Sequence, residues 1–319
     1  MRILYNDSSI EVSHAKIIAL WGVGLIGQAI YDALTSCDRL AEEEHAFPWQ
    51  NEAVQIRSAL AITQVLEKRV LAALASGNYR PRVVIVWSAG RAGFSATLED
   101  VRKEMIAFSI VLTLAEKLQQ RLCGNPVEFH LVSSAGGLFE GCKHVESGDL
   151  PKPRRPYGQL KLDQEQALLN ARGVMPYIYR VTSVYGIPYQ GRRRSLIPVL
   201  LHHGILRQVA HIVGTPATLR DYIYVGDLAR YIANKVFYGN STKDEGGLFW
   251  IVSGRPASIF EICRIVEQVI RHPLYLAFQF DPENSNDITF APHLRSIDFE
   301  PLALRAGISM VHMHWQDFI

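Results

Sequence analysis

Tyr157 and Lys161 stand four residues apart in Pro153-Arg154-Arg155-Pro156-Tyr157-Gly158-Gln159-Leu160-Lys161. The prolines mark a helix start, and i, i+4 spacing puts phenol and ammonium on one helical face. An ammonium beside a phenol favours phenolate, which makes Tyr157 a candidate general acid/base and Lys161 its partner. Alone, this pattern is common and usually marks a solvated helix face. Two further groups set it apart. Ser133 and Ser134 close the apolar run Glu128 to Val132 a short way upstream. Trp21-Gly22-Val23-Gly24-Leu25-Ile26-Gly27 follows another such run, Ile17 to Leu20. Glycines at 22, 24 and 27 let the backbone approach a pyrophosphate, and the N–H groups opening the next helix, from Leu25 and Ile26 onward, favour its charge. The blander alternative is a tight strand-to-helix turn that needs glycine only for its backbone angles.

These groups require strands to present them. Short β-branched runs ending in small residues are expected as strands at Ile17 to Leu20, Arg82 to Trp87, Glu128 to Val132, Met175 to Val181 and Leu248 to Val252. Helical stretches at Leu25 to Leu34, Glu99 to Arg121 and Tyr157 to Ala171 lie between them. The alternation implies an α/β fold, a doubly wound, mainly parallel sheet of Rossmann type with a smaller C-terminal substrate-binding region. Residues 1–186 are expected to form the dinucleotide-binding domain, with return segments near 218–254, and residues 187–319 mainly the substrate region. Residues 38–78 fit less well. Only His45 to Trp49 looks extended there, Glu42 to Glu44 read as a solvated approach to it, Asn51 to Ala75 read as a long helix, and one edge strand is unaccounted for.

Strand ends carry the remaining candidates. Trp87-Ser88-Ala89-Gly90 and Ser133-Ser134-Ala135-Gly136-Gly137 leave room for a flat ligand at the crevice where such sheets bind. An acidic residue about twenty positions past the glycine turn would hold an adenosine ribose. The stretch His45 to Asn51 offers none, with Gln50 or Asn51 as substitutes, so NAD and NADP both stay open.

The chain has 319 residues, with Lys+Arg 33 against Asp+Glu 31. That balance excludes the electrostatic footprint of a dedicated nucleic-acid or membrane-surface binder and favours a small-molecule partner. The scattered Cys37, Cys123, Cys142 and Cys263 form no metal-type pair. With no targeting or spanning segment in view, a cytoplasmic protein with reduced thiols is expected. No metal is expected: His202-His203 sits in the apolar helix Leu196 to Leu206 without acid or thiol at ligand spacing. The tail His312 to Trp315 reads as a packed terminal helix.

In order along the chain, GVGLIG, WSAG, HLVSSAGGLFEG, PYGQLK, YRVTSVYGIP, GTPATLRDYIYVGDLARYI and the FWIVSG and PASIFEI pair resemble the extended short-chain dehydrogenase/reductase family. The likeness is strongest to its NAD-dependent nucleotide-sugar epimerases and dehydratases, typified by UDP-glucose 4-epimerase. The resemblance implies that Tyr157 is the acid/base, Lys161 binds the nicotinamide ribose, and Ser134 hydrogen-bonds the reacting sugar oxygen, with Ser133 as the fallback. It further implies cofactor contacts from Gly22, Gly24, Leu25, Ile26, Gly27, Ser88, Ala89, Gly90, Ser133 and Val184. Ser183, Arg193 and Arg220 would contact a nucleotide diphosphate sugar, Arg220 through its guanidinium fork. Asp221 and Asp227 read as supports of that loop. The chain departs from the family pattern at Trp21, which replaces a glycine, and in lacking the ribose acid.

The reaction so implied is NAD(P)-dependent epimerisation at C4 of a nucleotide sugar, through transient oxidation to a keto sugar. A 4-ketoreductase with the same residues is the alternative, and a catalytically idle nucleotide-binding protein a second. Ala135-Gly136 stand where a 4,6-dehydratase carries an acidic pair. A homodimer is expected as well, through Met105, Phe108, Val111, Leu112 and Leu118 on one helix and Leu160, Leu162, Ala167 and Leu168 on another.

Overall fold

Six consecutive buried residues, Arg-Val-Val-Ile-Val-Trp, run through β4 (Arg82–Trp87). A strand covered on both faces has this unbroken apolar character, as in the interior of a parallel sheet. The computed structural model describes residues 1–6, 15–37, 40–49, 51–77, 81–90, 92–122, 127–187, 195–238 and 246–316. Around β4 lie β1 (Arg2–Asn6), β2 (Lys16–Trp21), β3 (Leu40–Glu44), β5 (Val127–Ser134), β6 (Met175–Val181) and β11 (Gly247–Ile251). Their order is β11-β6-β5-β4-β2-β1-β3. β2, β4, β5, β6 and β11 are parallel, whereas β1 is antiparallel to both β2 and β3. The doubly wound parallel sheet expected from the sequence is thus present.

Helices cover both faces. α2 (Glu52–Ala75) and α3 (Leu98–Arg121) pack on Ile17, Ala19, Trp21, Ile85 and Trp87, and α5 (Pro156–Leu169) adds Leu168 to that layer. On the other face, α1 (Leu25–Cys37) and α7 (Val225–Tyr238) cover Ile18, Leu20, Val84 and Val86. Local signals set the helix starts. Thr97 and Asp100 form a capping box for α3, Asn51 caps α2, and Pro156 occupies the first turn of α5. Following β6 in the chain, β7 (Ser183–Tyr185) pairs with β10 (Tyr222–Tyr224). A third core joins α6 (Leu196–Ile205), β8 (Val209–Val213), α8 (Ile259–Ile270) and α9 (Leu304–Gln316), and there His202 packs on Trp315. β9 (Leu219–Arg220) pairs with β12 (Ala257–Ser258), and β13 (Tyr275–Gln279) with β8. The short α4 (Ala135–Leu138) follows β5 directly. Among the described residues no helix is long and apolar enough to cross a membrane.

One sequence expectation changes. The extended segment after α1 is Leu40–Glu44, not His45 to Trp49; it forms the sheet edge, and the strand unaccounted for, Arg2–Asn6, is inserted between it and β2. The acid run is therefore in a strand. It is tolerated because its members find partners: Glu42 meets Arg2 and the Tyr31 hydroxyl, and Glu43 pairs with Arg69. Charge on a sheet edge also discourages pairing with another chain. Of the residues named for a dimer, Phe108, Val111, Leu112 and Leu118 of α3, with Leu160 and Leu168 of α5, are buried within the single chain, whereas Met105, Leu162 and Ala167 are partly buried.

Candidate active site

The glycine turn between β2 and α1 is built backbone against backbone. Gly22 has φ +92°, and a Cβ there would lie 2.3 Å from Ala89 Cα, while one on Gly27 would lie 1.6 Å from the Gly22 carbonyl oxygen. Glycine is thus required at both. Gly24 differs, since a Cβ there would meet no protein atom within 4 Å. That open space sits over the first turn of α1, which carries no acidic side chain and whose leading N–H groups have no helical acceptor. Ser88 is spent on the turn itself: its hydroxyl donates to the Trp21 and Gly22 carbonyls at 3.0 and 2.8 Å. The turn thus offers an anion a cradle of backbone N–H groups, with Gly24 leaving it uncovered.

At the end of β5, the neighbours Ser133 and Ser134 point to opposite faces, as strand geometry demands. Ser133 donates to Glu165 at 2.5 Å, and Glu165 in turn holds Arg180 at 2.7 Å. Ser134 caps α4 by accepting from the Gly137 N–H at 3.0 Å. Its own hydroxyl hydrogen has no acceptor among the described residues, so it is free to donate to a ligand. Of the two serines named from the sequence, Ser134 is the one the fold leaves available. Here α4 and α5 meet without side chains between them. A Cβ on Gly158 would lie 2.2 Å from the Gly137 carbonyl oxygen, and one on Gly137 would touch the Tyr157 ring at 3.0 Å. The Tyr157 hydroxyl makes no hydrogen bond to any described residue, and the Lys161 ammonium lies 5.9 Å from the Tyr157 ring centre.

Lys161 is buried, with Nζ 3.0 Å from Gln164 Oε1 and 3.3 Å from Glu104 Oε1. Glu104 is a site residue the sequence analysis misses. From α3 its carboxylate also accepts the Ala92 N–H at 3.1 Å and fills the space beside Gly90, where a Cβ would meet it at 2.8 Å. One acid thus ties Lys161 to the loop after β4. The signal for it exists in sequence. Glu104 lies on the stripe of Ala107, Phe108 and Val111, an acid among apolar positions at helical spacing.

Beyond Phe94, whose ring lies 5.7 Å from that of Tyr157, opens a cavity of about 440 Å³ lined by Phe94, Glu140, Ser183, Val184, Arg220 and Asn284 among others. Ser134, Tyr157 and Lys161 do not line it. Arg220 is threaded into the adjoining loop, donating to the carbonyls of Leu219 at 2.9 Å, Asn284 at 3.0 Å and Asn286. Of its five N–H donors, three are used by the described residues. Burial pulls its guanidinium below its ordinary value. Asp221 is fully engaged, accepting from Thr182, the Ser253 N–H and hydroxyl, and the Gly254 N–H. Burial raises its carboxyl above the usual range in spite of them. Asp227 accepts from Arg230 and the Leu302 N–H. Asp221 thus supports the loop beside Arg220, as the sequence suggested, whereas Asp227 ties α7 to the segment at Leu302. Arg193 and Gln50 lie outside the described residues, and Asn51 serves as the α2 cap.

A glycine turn, a serine at the end of β5, and a Tyr and Lys on the helix that follows define an extended short-chain dehydrogenase/reductase. Residues 18–235 match the profile of the NAD dependent epimerase/dehydratase family, and the chain belongs to that family. No curated protein sequence matches it significantly. Among solved structures, the chain is similar to the UDP-glucose 4-epimerase of Thermus thermophilus in complex with NAD. The TM-score is 0.72 at 16% identity, over 95% of this chain and 100% of that one. A UDP-glucose 4-epimerase of Thermotoga maritima gives 0.72 at 17% identity over 95% and 99%. The UDP-glucuronic acid 4-epimerase of Bacillus cereus gives 0.70 at 17% identity over 95% and 100%.

NAD is the cofactor of this family, and the residues present fit two of its parts. Gly22, Gly24 and the N–H groups of Leu25, Ile26 and Gly27 would hold the diphosphate; Lys161 would hold the nicotinamide ribose. The adenine end is rebuilt. Because β1 is inserted, β3 lies two strand spacings, roughly 10 Å, from β2 instead of one. An acid at its end would be too far from the glycine turn. Phe47 and Trp49 instead fold back to pack against Trp21 and Trp87 at 6.3 and 5.8 Å.

Proposed function

We propose that the protein is an epimerase that inverts C4 of a nucleotide diphosphate sugar. The observation that carries this reading is the meeting of the Ser134-capped turn with Tyr157 across Gly137 and Gly158. It brings to one turn two hydroxyl groups whose protons have no acceptor among the described residues, at the approach to a cavity lined by Ser183 and Arg220. In this reading Ser134 donates to the O4 oxygen and orients it, and Tyr157 takes the O4 proton as the sugar is oxidised and returns it on reduction. Lys161, fixed by Glu104 and Gln164, stabilises the phenolate and binds ribose hydroxyls. The remaining donors of Arg220 hold the diphosphate, keeping the nucleotide in place while the keto sugar turns its other face. NAD, when bound, supplies the redox chemistry. UDP-sugars bound by the similar epimerases support this choice of ligand. Ala135 and Gly136 leave the turn after Ser134 without the acid pair of a 4,6-dehydratase.

The test is mass spectrometry of ligands released from freshly purified protein, followed by incubation with UDP-, dTDP- and GDP-sugars. Cofactor that survives dialysis and a 4-epimer formed without net consumption of NADH are expected. Steady oxidation of added NADH or NADPH by a keto sugar would assign a reductase instead.

A further inference from the structure

Just beyond α4, Glu140 faces the cavity with a carboxyl that the fold uses only in part. The residue is 3% exposed. Arg155 Nε lies 2.7 Å from Oε1 as an ion pair without hydrogen-bond geometry, and Oε2 is buried with no hydrogen-bond partner among the described residues. We propose that Glu140 Oε2 accepts a hydrogen bond from a hydroxyl or amine of the sugar unit, which makes Glu140 a residue that selects the sugar rather than the nucleotide. This rests on the cavity being the nucleotide-sugar site.

The carboxyl is held in place from two directions. Phe139, the preceding residue, is fixed in a small core against Trp250 and Phe290, at 5.4 and 6.5 Å. Arg155, whose charge lies against Oε1, also reaches the Phe94 carbonyl at 3.3 Å and Asn284 Oδ1 at 3.2 Å, both residues of the cavity wall. Leaving a buried acceptor unpaired costs folding free energy, and a ligand O–H or N–H removes that cost. The charges around Glu140 are Arg155, Glu283, Arg154 and Arg220, yet burial dominates and raises its carboxyl above the ordinary range. In its ionised form Oε2 can only accept, so a sugar hydroxyl or amine suits it, whereas a sugar carboxylate at the same point would meet like charge.

The experiment is calorimetric titration of NAD-loaded wild type, Glu140→Gln and Glu140→Ala with UDP alone and with UDP-glucose, and with the dTDP and GDP counterparts. Glu140→Gln keeps an acceptor for Arg155, so a change in the sugar contact is separated from loss of the wall. For the nucleotide that wild type binds, both variants are expected to bind the nucleotide sugar about tenfold or more weaker while the free diphosphate changes by less than about twofold. Equal weakening of both ligands, or no change in either, would overturn the assignment of Glu140 and leave the functional reading standing. Wild type that binds none of the diphosphates or sugars would overturn both together.

Discussion

The centre of the sheet and its β1–β3 edge obey different rules. At the centre, β2, β4 and β5 present Gly22, Ala89 and Ser134 at one crevice through parallel strands in fixed register, and the turn after β2 is specified by backbone clashes that only glycine avoids. At the edge, an antiparallel strand is inserted and the acids of β3 are satisfied by side-chain partners instead of ligand. The proposed epimerisation draws its reacting groups from the centre alone, and the edge, where the chain departs from the family pattern, would bear only on the adenosine.

This contrast can be broken from the centre outward. Phe108 is wholly buried between Trp87 and Phe129, so Phe108→Glu should abolish the cooperative unfolding transition seen by circular dichroism, because it buries an unpaired charge. A variant that unfolds as wild type does would contradict that burial. Tyr157→Phe should cut turnover by about a hundredfold or more, roughly 2.7 kcal/mol in the barrier, with melting temperature and NAD affinity unchanged. Turnover near that of wild type would remove Tyr157 from the mechanism.

The two glycines of one turn sharpen the comparison. Gly22→Ala puts a Cβ into the Ala89 backbone at positive φ and should cost about 2 kcal/mol of stability in urea denaturation. Gly24→Ala should leave stability almost unchanged yet weaken NAD by about tenfold in a fluorescence titration, because its Cβ points into the cradle. If both variants behave alike, the turn is packing alone. The smallest effect belongs to the edge. Arg69 holds Glu43 below the usual carboxylate range chiefly through their hydrogen bond. That contribution is present above the unfolded carboxyl's value and is lost as pH falls through the lower folded one. Arg69→Ala should therefore cost under about 1 kcal/mol at pH 7, since both groups are partly exposed, and the difference from wild type should vanish in acid.

Much of the centre was legible in the sequence because its signals are local. The apolar run Arg82 to Trp87, the glycines at 22, 24 and 27, and the Pro-Tyr-Gly-x-x-Lys helix start each declare their element within a few residues. Arg2–Asn6 escaped because a five-residue strand pairing on both sides with segments elsewhere has no local signature. Glu42 to Glu44 looked solvated because Arg2 and Arg69 are brought to them only by the fold. Glu104 and Glu140 were invisible for the same reason. Their meaning is a distance to Lys161 and a place on a cavity wall, neither of which has a spacing rule. Ser133 could be set aside only when Glu165 was found to hold it.

The central claim is that oxidation and return at C4 occur within this one site. It is tested most directly by incubating the protein and NAD with a nucleotide sugar carrying deuterium at C4 and following both epimers by NMR. The account predicts that the 4-epimer accumulates to equilibrium with deuterium retained at C4 and no net change in NADH. Deuterium washed out of the product, or no epimer from any UDP-, dTDP- or GDP-sugar despite bound NAD, would contradict it.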